Sequence, residues 1–481
     1  MPPQIATVVC LLGILTLFMF GRDPEARTSK ALWIPVLWLL ISGSRPVSLW
    51  LAIAGFGNAV SLASPEQYLD GSPVDRLVFA ILLAAGLIVL IGRRRQVGAF
   101  LRANGPILLF FSYCALSTFW SDYTFVAFKR WTKAVGDLVM VWVVLTDPDR
   151  ASAVKRLLAW PAFLLLPLSI LFIKYYPALG RAYNPWTGAP SYGGVTMNKN
   201  MLGMICLIFG LGSLSRFLVH YRDSEGAHRT RWLLAHGTVL AMVVWLLHLA
   251  DSMTSLSIFI MTGGLMAITS LVRLARKPLV VHLLVAAVVL VSLAALTLDV
   301  GAGALGMIGR DATLTGRTTI WNIVLGLAGN PFVGTGFESF WLGGRLQSIW
   351  DSYGLHILEA HNGYLDVYLN LGWIGVILLA FLIATGYRNV VRAFRQDPGT
   401  GGVRLAFFVT GIVYNFTESG FSTMFPVWIL FLLAITAVPK SYRFAKSRST
   451  DAEASLQLEG LETTPHSSTA ELSRAAISTT F

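Results

Sequence analysis

Apolar runs of roughly 15–20 residues recur along almost the whole chain, which is close to the length that a helix needs to cross a bilayer. Only 13% of the 481 residues are charged, whereas soluble domains carry about 25%. So few charged side chains cannot cover a soluble surface. The sequence therefore predicts an all-α, polytopic integral membrane protein. It excludes a soluble enzyme, a secreted disulfide scaffold and a nucleic-acid binder.

Candidate spans can be placed from the length and hydropathy of these runs. They are 4–20, 31–43, 76–92, 105–120, 133–146, 157–175, 201–219, 232–250, 254–272, 278–298, 363–386, 403–417 and 424–438. The apolar segment 46–63 is either one more span or a re-entrant element. We therefore expect about 12–14 transmembrane helices. The first run has no basic segment before it and no clear cleavage site, which predicts a retained helix rather than a signal peptide.

Lys and Arg residues after position 92 fall into two alternating sets of connections. The richer set comprises 93–102, 150–156, 216–231, 273–277, 388–404 and the tail. By the positive-inside rule this set is cytoplasmic, so the net charge of +12 is a topology signal. Two sizeable connections then lie outside the cytoplasm, at 176–200 and at about 299–362. The second is the longest in the chain, and long ordered loops are usually functional.

The chain accordingly divides into four parts. N-terminal transmembrane helices occupy 1–298, one long extracytoplasmic (periplasmic) loop with short helices occupies 299–362, and C-terminal transmembrane helices occupy 363–439. The tail, 440–481, is rich in Ser, Thr, Glu and Ala and has no apolar periodicity. This composition predicts a disordered cytoplasmic segment.

The sequence contains no arrangement typical of a metal, nucleotide or disulfide site. The three cysteines lie singly inside apolar runs. The motifs H-x-x-x-H and G-x-x-x-x-G-K-[ST] do not occur. We therefore predict no metal, no cofactor and no ATP-driven transport by this chain.

The long loop contains two predicted short helices, at 318–328 and at about 337–349. Trp321 lies on the apolar face of the first helix and belongs to an aromatic-rich stretch. Such a stretch suits either packing at the bilayer interface or stacking on a sugar ring.

Arg317 and His361 are the candidate reactive residues. Arg317 lies at the start of the first loop helix, where free N–H groups attract an anion and a planar guanidinium suits phosphate oxygens. The alternatives are an interfacial anchor or an ion pair with Asp311. His361 precedes the next membrane helix and can exchange a proton or bind a phosphate. The alternative is a hydrogen-bonded structural histidine.

Further cationic residues lie on the predicted outer side, where the positive-inside rule disfavours Lys and Arg. They are Lys129, Arg130, Lys133, Arg181 and Lys199. An anionic ligand at the outer leaflet, such as a lipid phosphate or pyrophosphate, would explain them. Contacts with anionic lipids, or side chains that reach to the interface, are the alternatives.

Three segments together resemble the signature of the O-antigen ligase/polymerase superfamily, and most closely its exopolysaccharide-polymerase (ExoQ-type) group. They are TLTGRTTIW (313–321), NPFVGTGFESFW (330–341) and AHNGYLDVYLNLGWIG (360–375). Further matches are LWIPVLWLLISGSRPVSLWL (32–51), YLDGSPVDR (68–76), WSDYTFVAFKRW (120–131) and GGVTMNKNMLG (193–203). The resemblance extends from about residue 30 to 438.

The resemblance implies a multi-pass enzyme of the bacterial inner membrane that performs an inverting, metal-independent glycosyl transfer at the outer face. The donor would be a saccharide on undecaprenyl pyrophosphate, which would be the leaving group. The implied partners are this lipid-linked saccharide, membrane lipids, and possible chain-length regulator and flippase proteins.

The family's loop arginine and loop-end histidine correspond to Arg317 and His361. Arg317 would stabilise the pyrophosphate. His361 would position or deprotonate the acceptor, or contact the phosphate. The candidate substrate-binding residues are Lys129, Arg130, Arg181, Lys199, Asn200, Trp321 and Asn362.

The sequence departs from the family at Met253, where many relatives carry Arg or Lys. Lys199 and Arg130 are the candidate substitutes for that cation. Three functions follow: a polymerase, which adds one repeat unit to another; a ligase, which transfers to lipid A–core; and a transporter of lipid-linked saccharide or another solute. Transferase chemistry requires Arg317 and His361 to converge on one cleft, whereas a wide separation favours transport.

Overall fold

Helices make up most of the computed structural model, which describes residues 1–56, 69, 71–183, 188–222, 229–272, 277–297, 314–354 and 356–439. The predicted tail at 440–481, Asp311 and residues 57–63 of the apolar segment 46–63 lie outside the described residues. Residues Met1–Ala437 form one compact unit. Within the described ranges the β-structure comprises one two-stranded antiparallel hairpin and one isolated bridge.

The first half of the chain contains the helices up to the hairpin. They are α1 (Pro3–Phe20), α2 (Trp33–Ser42), α3 (Val47–Ile53), α4 (Pro73–Gly92), α5 (Arg94–Ala103), α6 (Gly105–Ser117), α7 (Thr124–Leu145), α8 (Arg150–Tyr175) and the short α9 (Pro177–Gly180). Short 3-10 turns occupy Lys30–Leu32 and Thr118–Trp120. The hairpin pairs β1 (Arg181–Tyr183) with β2 (Pro190–Tyr192) inside the predicted outer connection 176–200.

The second half contains the remaining membrane helices and the two loop helices. They are α10 (Lys199–Arg222), α11 (Arg229–Ala250), α12 (Met253–Leu271), α13 (Pro278–Thr297), α14 (Leu314–Gly326), α15 (Gly343–Tyr353), α16 (Gly363–Gln396), α17 (Pro398–Tyr414) and α18 (Pro426–Ile435). The most apolar window of α10 is 78% buried, so this helix lies inside the bundle. The corresponding window of α1 is only 17% buried, so most of its apolar surface faces outward.

The all-α, polytopic fold predicted from the sequence is confirmed, and each predicted span coincides with a helix. Within the described residues, seven helices are long and apolar enough to cross a membrane, or nine if two bent pairs each count as one span. The expected 12–14 is higher for physical reasons. Helices α17 and α18 have 17 and 10 residues, and only Pro278–Ala294 of α13 is counted as an apolar helix. Helix α7 contains Lys129, Arg130, Lys133 and Asp137.

Two predicted spans are bent helix pairs. The helical stretch Lys30–Ser42 meets α3 at 71°, and α5 meets the stretch Gly105–Trp120 at 86°. The second bend centres on Asn104, just before Gly105-Pro106. Proline disfavours helical geometry in the residue before it and has no N–H to donate. The Asn104 side chain holds the bend, since it bonds to both the N–H and the C=O of Ala437 at 2.7 and 3.0 Å.

Helix α16 is broken at Gly372, and the long loop inserts there. Gly372 has φ 62°, and a Cβ at this position would lie 2.2 Å from the Phe332 carbonyl carbon. The break frees backbone groups, which the loop satisfies. The bonds run from Trp373 N to Pro331 O, from Ile374 N to Phe332 O, from Thr335 N to Leu369 O and from Gly336 N to Asn370 O. The loop is therefore fixed to the membrane helix.

The two loop helices differ from the predicted ones in position and in orientation. The first begins at Leu314 rather than 318, and the second occupies Gly343–Tyr353 rather than 337–349. Ile320 and Val324 form the buried face of α14, whereas Leu325 is 48% exposed. The buried face belongs to an apolar core shared by α14, α15 and α16, which also contains Phe340, Trp341, Leu346, Ile349, Trp350 and Leu369. The described part of the loop, 314–354 and 356–362, thus packs as part of the fold.

Candidate active site

Arg317 lies in the first turn of α14, with its side chain 18% exposed. Its Nη2 atom lies 3.6 Å from Oε1 of Glu418, which is only 8% exposed. Glu418 comes from the connection between α17 and α18, far away in sequence. The ion pair therefore joins the long loop to the C-terminal helices.

His361 is held in a strained backbone conformation just before α16. Its φ of 51° lies in the left-handed region, which non-glycine residues seldom occupy and which is common at functional sites. On one side, the Ala360 carbonyl accepts a 2.9 Å hydrogen bond from Trp321 Nε1. On the other side, Asn362 caps α16 by accepting from Tyr364 N and Leu365 N at 3.1 Å. The side chain is thus placed by its neighbours on both sides.

Close backbone contact brings His361 to Glu418. The Gly363 N–H donates to the carbonyls of Asn415 and Glu418 at 3.0 and 3.1 Å. A Cβ at Gly363 would lie 1.8 Å from Asn415 Oδ1, so only glycine allows this approach. The result is that His361 Nδ1 lies 3.2 Å from Glu418 Oε2 and 3.1 Å from Glu359 Oε1.

Arg317, His361, Glu359 and Glu418 form one ion-pair cluster, which we call the Glu418 cluster. Glu418 uses one carboxylate oxygen for Arg317 and the other for His361. Burial lowers the pKa of His361, but hydrogen bonds and charge from Glu359 and Glu418 outweigh it and raise the pKa from 6.5 to about 10. His361 is therefore an imidazolium at neutral pH, and its two contacts with carboxylates both use Nδ1.

Three members of the Glu418 cluster are also residue types that bind divalent cations. The donor atoms of Glu359, His361 and Glu418 lie within 4.8 Å of one another. Arg317 changes the balance, because its guanidinium already brings positive charge to Glu418 at 3.6 Å. With His361 protonated, two cations balance two carboxylates. We therefore treat the group as an ion-pair cluster rather than as a metal site.

A second feature is a cavity of about 610 Å³ beside α7, which we call the cation-lined cavity. Lys129, Arg130 and Lys133 line it, and most of the remaining lining is apolar, for example Phe79 and Phe125. Apolar walls and a few positive groups suit a ligand with a lipid chain and an anionic head. Three of the outer cations noted in the sequence thus share one cavity.

Glu338 lies at the end of this cavity and is fixed from two sides. Arg130 Nη1 donates to its backbone carbonyl, and its carboxylate accepts from Thr423 N at 2.7 Å. Glu338 has φ 46° and Met424 has φ 62°, so both are strained non-glycine residues. Met424 N donates in turn to the buried carboxylate of Asp137 at 2.9 Å. The turns at 338 and 424 are therefore held against α7.

The other predicted binding residues have different surroundings. Arg181 donates to Ile173 O at 2.8 Å and lies 5.7 Å from the Tyr192 ring, so it braces the hairpin. Lys199 pairs with Asp251 at 3.6 Å, and both are about half exposed. Asn200 lies in the first turn of α10. The contacts found for Arg181 and Lys199 in the described residues do not join them to the Glu418 cluster.

Two carboxylates in the site were not predicted from the sequence. Glu418 follows α17 and Glu338 follows the Gly-Thr-Gly turn, and neither belongs to a spacing pattern that indicates a site. Acidic residues are rare in this chain, with 25 Asp and Glu in 481 residues. A carboxylate between apolar helices is costly to bury and usually has a function. The rarity of acidic residues was therefore the sequence signal that could have indicated Glu418 and Glu338. Met253, where a cation was expected, begins α12 and is 48% exposed.

Comparison with known proteins identifies a matching family profile and a similar protein. The profile of a protein family described as O-antigen ligase matches residues 237–380, a range that includes both Arg317 and His361. The chain is also 26% identical over 380 residues to the exopolysaccharide production protein ExoQ of Rhizobium meliloti (strain 1021), covering 74% of this chain and 82% of that protein. These two matches confirm that this membrane protein resembles the O-antigen ligase/polymerase superfamily and, within it, an exopolysaccharide production protein.

Proposed function

We propose that the protein polymerises undecaprenyl-pyrophosphate-linked oligosaccharide repeat units into exopolysaccharide at the outer face of the bacterial inner membrane. The observation that carries the proposal is the convergence of Arg317 and His361, which both contact Glu418. A transferase needs its charged groups in one place, where they can act on one reacting bond. The similarity to an exopolysaccharide production protein favours a polymerase.

The reaction is a displacement at the anomeric carbon of the donor. A hydroxyl oxygen of the acceptor forms the new glycosidic bond, and the bond from the anomeric carbon to the pyrophosphate oxygen breaks. The electron pair of the broken bond leaves with the pyrophosphate. Attack from the opposite face inverts the anomeric configuration. Cations placed beside the leaving oxygen lower the barrier because negative charge grows there.

Arg317 and His361 supply that positive charge. Arg317 offers a planar set of donors for phosphate oxygens. The pKa of His361, raised to about 10 by Glu359 and Glu418, favours contact with the phosphate over removal of a proton. The proton from the acceptor hydroxyl then passes to a carboxylate, and Glu359, 35% exposed, is the more accessible one. Carboxylates perform this step in inverting glycoside hydrolases.

The cation-lined cavity is the proposed place for the lipid pyrophosphate before transfer. Lys129 and Arg130 would contact the anionic head, together with Lys133. Each charge-assisted hydrogen bond stabilises such a complex by about 1.5–3 kcal/mol. In this proposal Trp321 and Asn362 are positioning residues, because they hold the backbone on either side of His361. Lys199 lies beside Asp251, two residues before Met253, and is the remaining candidate for the cation expected there.

The proposal is tested by deleting the gene and comparing the lengths of surface and lipid-linked saccharides on a gel, with and without the restored gene. A polymerase predicts single lipid-linked repeat units and no polymer in the deletion strain. A ligase, which the description of the matched family favours, predicts long lipid-linked polymer that never reaches lipid A–core. Repeat units that accumulate only on the cytoplasmic side would indicate a transporter, and either result would overturn the proposal.

A further inference from the structure

A smaller cavity of about 200 Å³ lies next to the cation-lined cavity, and we call it the aromatic cavity. The two cavities share Arg130, Glu338 and Thr423 in their walls. Glu359, which binds His361, also lines the aromatic cavity. The aromatic cavity therefore shares lining residues with both the cation-lined cavity and the Glu418 cluster.

Aromatic rings form much of the wall of the aromatic cavity. Phe111 and Trp428 stack at 6.4 Å with an interplanar angle of 18°, and Phe421 meets Trp428 edge to face at 5.6 Å. Trp341 is held by a 2.9 Å hydrogen bond from its Nε1 to Asp366. The rings are thus fixed by one another and by hydrogen bonds. Flat apolar surfaces of this kind suit the C–H face of a sugar ring.

Carboxylates form the polar part of the same wall. Glu338, Glu359 and Asp366 line the cavity, with Arg130 as the cation. An ionised carboxylate only accepts hydrogen bonds, whereas a sugar hydroxyl or ammonium group can donate them. The volume of about 200 Å³ is below the usual range for drug-sized ligands, so it suits a single ring.

We propose that the aromatic cavity binds one sugar of the acceptor repeat unit and selects a neutral or amino sugar over an acidic one. This inference rests on the proposed function. Aromatic faces and hydrogen-bond acceptors provide the affinity. Three carboxylates, against Arg130 and the His361 imidazolium that contacts Glu359, leave a net negative charge that repels a carboxylated sugar. Glu359, where the acceptor hydroxyl would lose its proton, lines the same cavity. It therefore serves the acceptor, while the cation-lined cavity serves the donor.

Binding can be tested with the full-length protein in nanodiscs by saturation-transfer NMR. The probes are methyl glucoside, methyl glucosaminide and methyl glucuronide. We expect saturation transfer to methyl glucoside and methyl glucosaminide. Methyl glucuronide should bind at least about tenfold more weakly, a factor that corresponds to about 1.4 kcal/mol. Equal binding of all three probes, or no transfer to any of them, would overturn the proposal.

Two variants locate the sugar. Ser422 lines the aromatic cavity but not the cation-lined cavity, so Ser422→Phe places a ring in the aromatic cavity and should abolish saturation transfer to methyl glucoside. The matched control is Ser348→Phe, an exposed position on α15 that lines neither cavity and should behave as the wild type. Glu338→Gln keeps an oxygen for Thr423 N but removes one charge, so it should improve glucuronide binding. Unchanged methyl glucoside binding in Ser422→Phe would place the sugar elsewhere.

A separate measurement distinguishes this inference from the proposed function. Binding of undecaprenyl pyrophosphate is followed as a shift of the unfolding temperature, and Ser422→Phe should retain that shift while polymer is lost. If the wild type polymerises and binds the lipid, and the Ser422→Phe variant still binds methyl glucoside, the sugar site is refuted but the proposed function is not. If the wild type binds methyl glucoside at the cavity but neither binds the lipid nor forms polymer, the proposed function is refuted but the sugar site is not.

Discussion

Replacing Glu418 with glutamine tests whether one carboxylate joins the two cations of the site. The substitution keeps the shape of the side chain and removes its charge. Arg317 lies 3.6 Å from one oxygen and His361 lies 3.2 Å from the other. At an effective dielectric constant of about 20, each such contact is about 5 kcal/mol of Coulomb energy, which desolvation partly offsets. Breaking a buried pair typically costs about 3–5 kcal/mol.

We expect Glu418→Gln to lower the transfer rate by at least about a hundredfold, because a loss of about 2.7 kcal/mol in the transition state is enough for that. The assay is transfer from lipid-linked repeat units by purified protein, together with the polymer profile of the complemented deletion strain. Asp122→Asn is the matched control. It removes a carboxylate that is 60% exposed and pairs with Arg345 at 3.1 Å, and no contact joins it to Arg317 or His361 in the described residues.

The control should therefore keep the wild-type rate. Equal activity of Glu418→Gln and the wild type would refute the reasoning, because Glu418 would then have no part in placing the two cations. An equal loss of activity in Asp122→Asn would show that the effect does not depend on the Glu418 cluster. Insertion and unfolding temperature of each variant must match the wild type for the rates to be compared.

Four further changes have expected outcomes. Arg317→Ala should abolish polymer while the protein still inserts, whereas Arg345→Ala should be neutral, because its partner Asp122 is 60% exposed. His361→Gln should lose the stability that comes from the raised pKa. That stability is fully present below pH 6.5 and disappears as the pH passes about 10, so the wild-type unfolding temperature should fall more steeply than that of the variant from pH 7 to 10. A chelator of divalent cations should leave transfer unchanged. Gly372→Ala should destabilise the protein, because φ is 62° and the new Cβ would lie 2.2 Å from the Phe332 carbonyl carbon.

Each of these predictions can fail clearly. Polymer of normal length from well-inserted Arg317→Ala would remove the arginine from the mechanism. Parallel unfolding curves of wild type and His361→Gln across this pH range would show that the histidine is not charged in the folded state. Loss of activity with a chelator, restored by one metal, would reassign the Glu418 cluster as a metal site. An unchanged unfolding temperature in Gly372→Ala would show that the break in α16 is not fixed by close contact.

The sequence alone determined the fold class and singled out Arg317 and His361 as candidate site residues. Hydropathy located each helix of the described residues that is long and apolar enough to cross a membrane, because a helix in lipid must be apolar over its whole length. Asn362 was recognisable as a helix start from local chemistry, since a cap needs only the residues that follow it. Arg317 and His361 came from segment resemblance, and the structure brings both to the same carboxylate.

Tertiary structure alone decided which residues meet. Glu418 joins the site because Gly363 allows the turn before α16 to lie against the connection after α17, a contact between segments distant in sequence. Glu338 reaches the cation-lined cavity because the break at Gly372 anchors the loop beside α7. Arg181 and Lys199 carry the same charge as Arg130, yet Arg181 donates to Ile173 O of α8 and Lys199 pairs with Asp251, just before α12. Charge and hydropathy are local properties of a chain, whereas a shared carboxylate depends on packing between its distant parts.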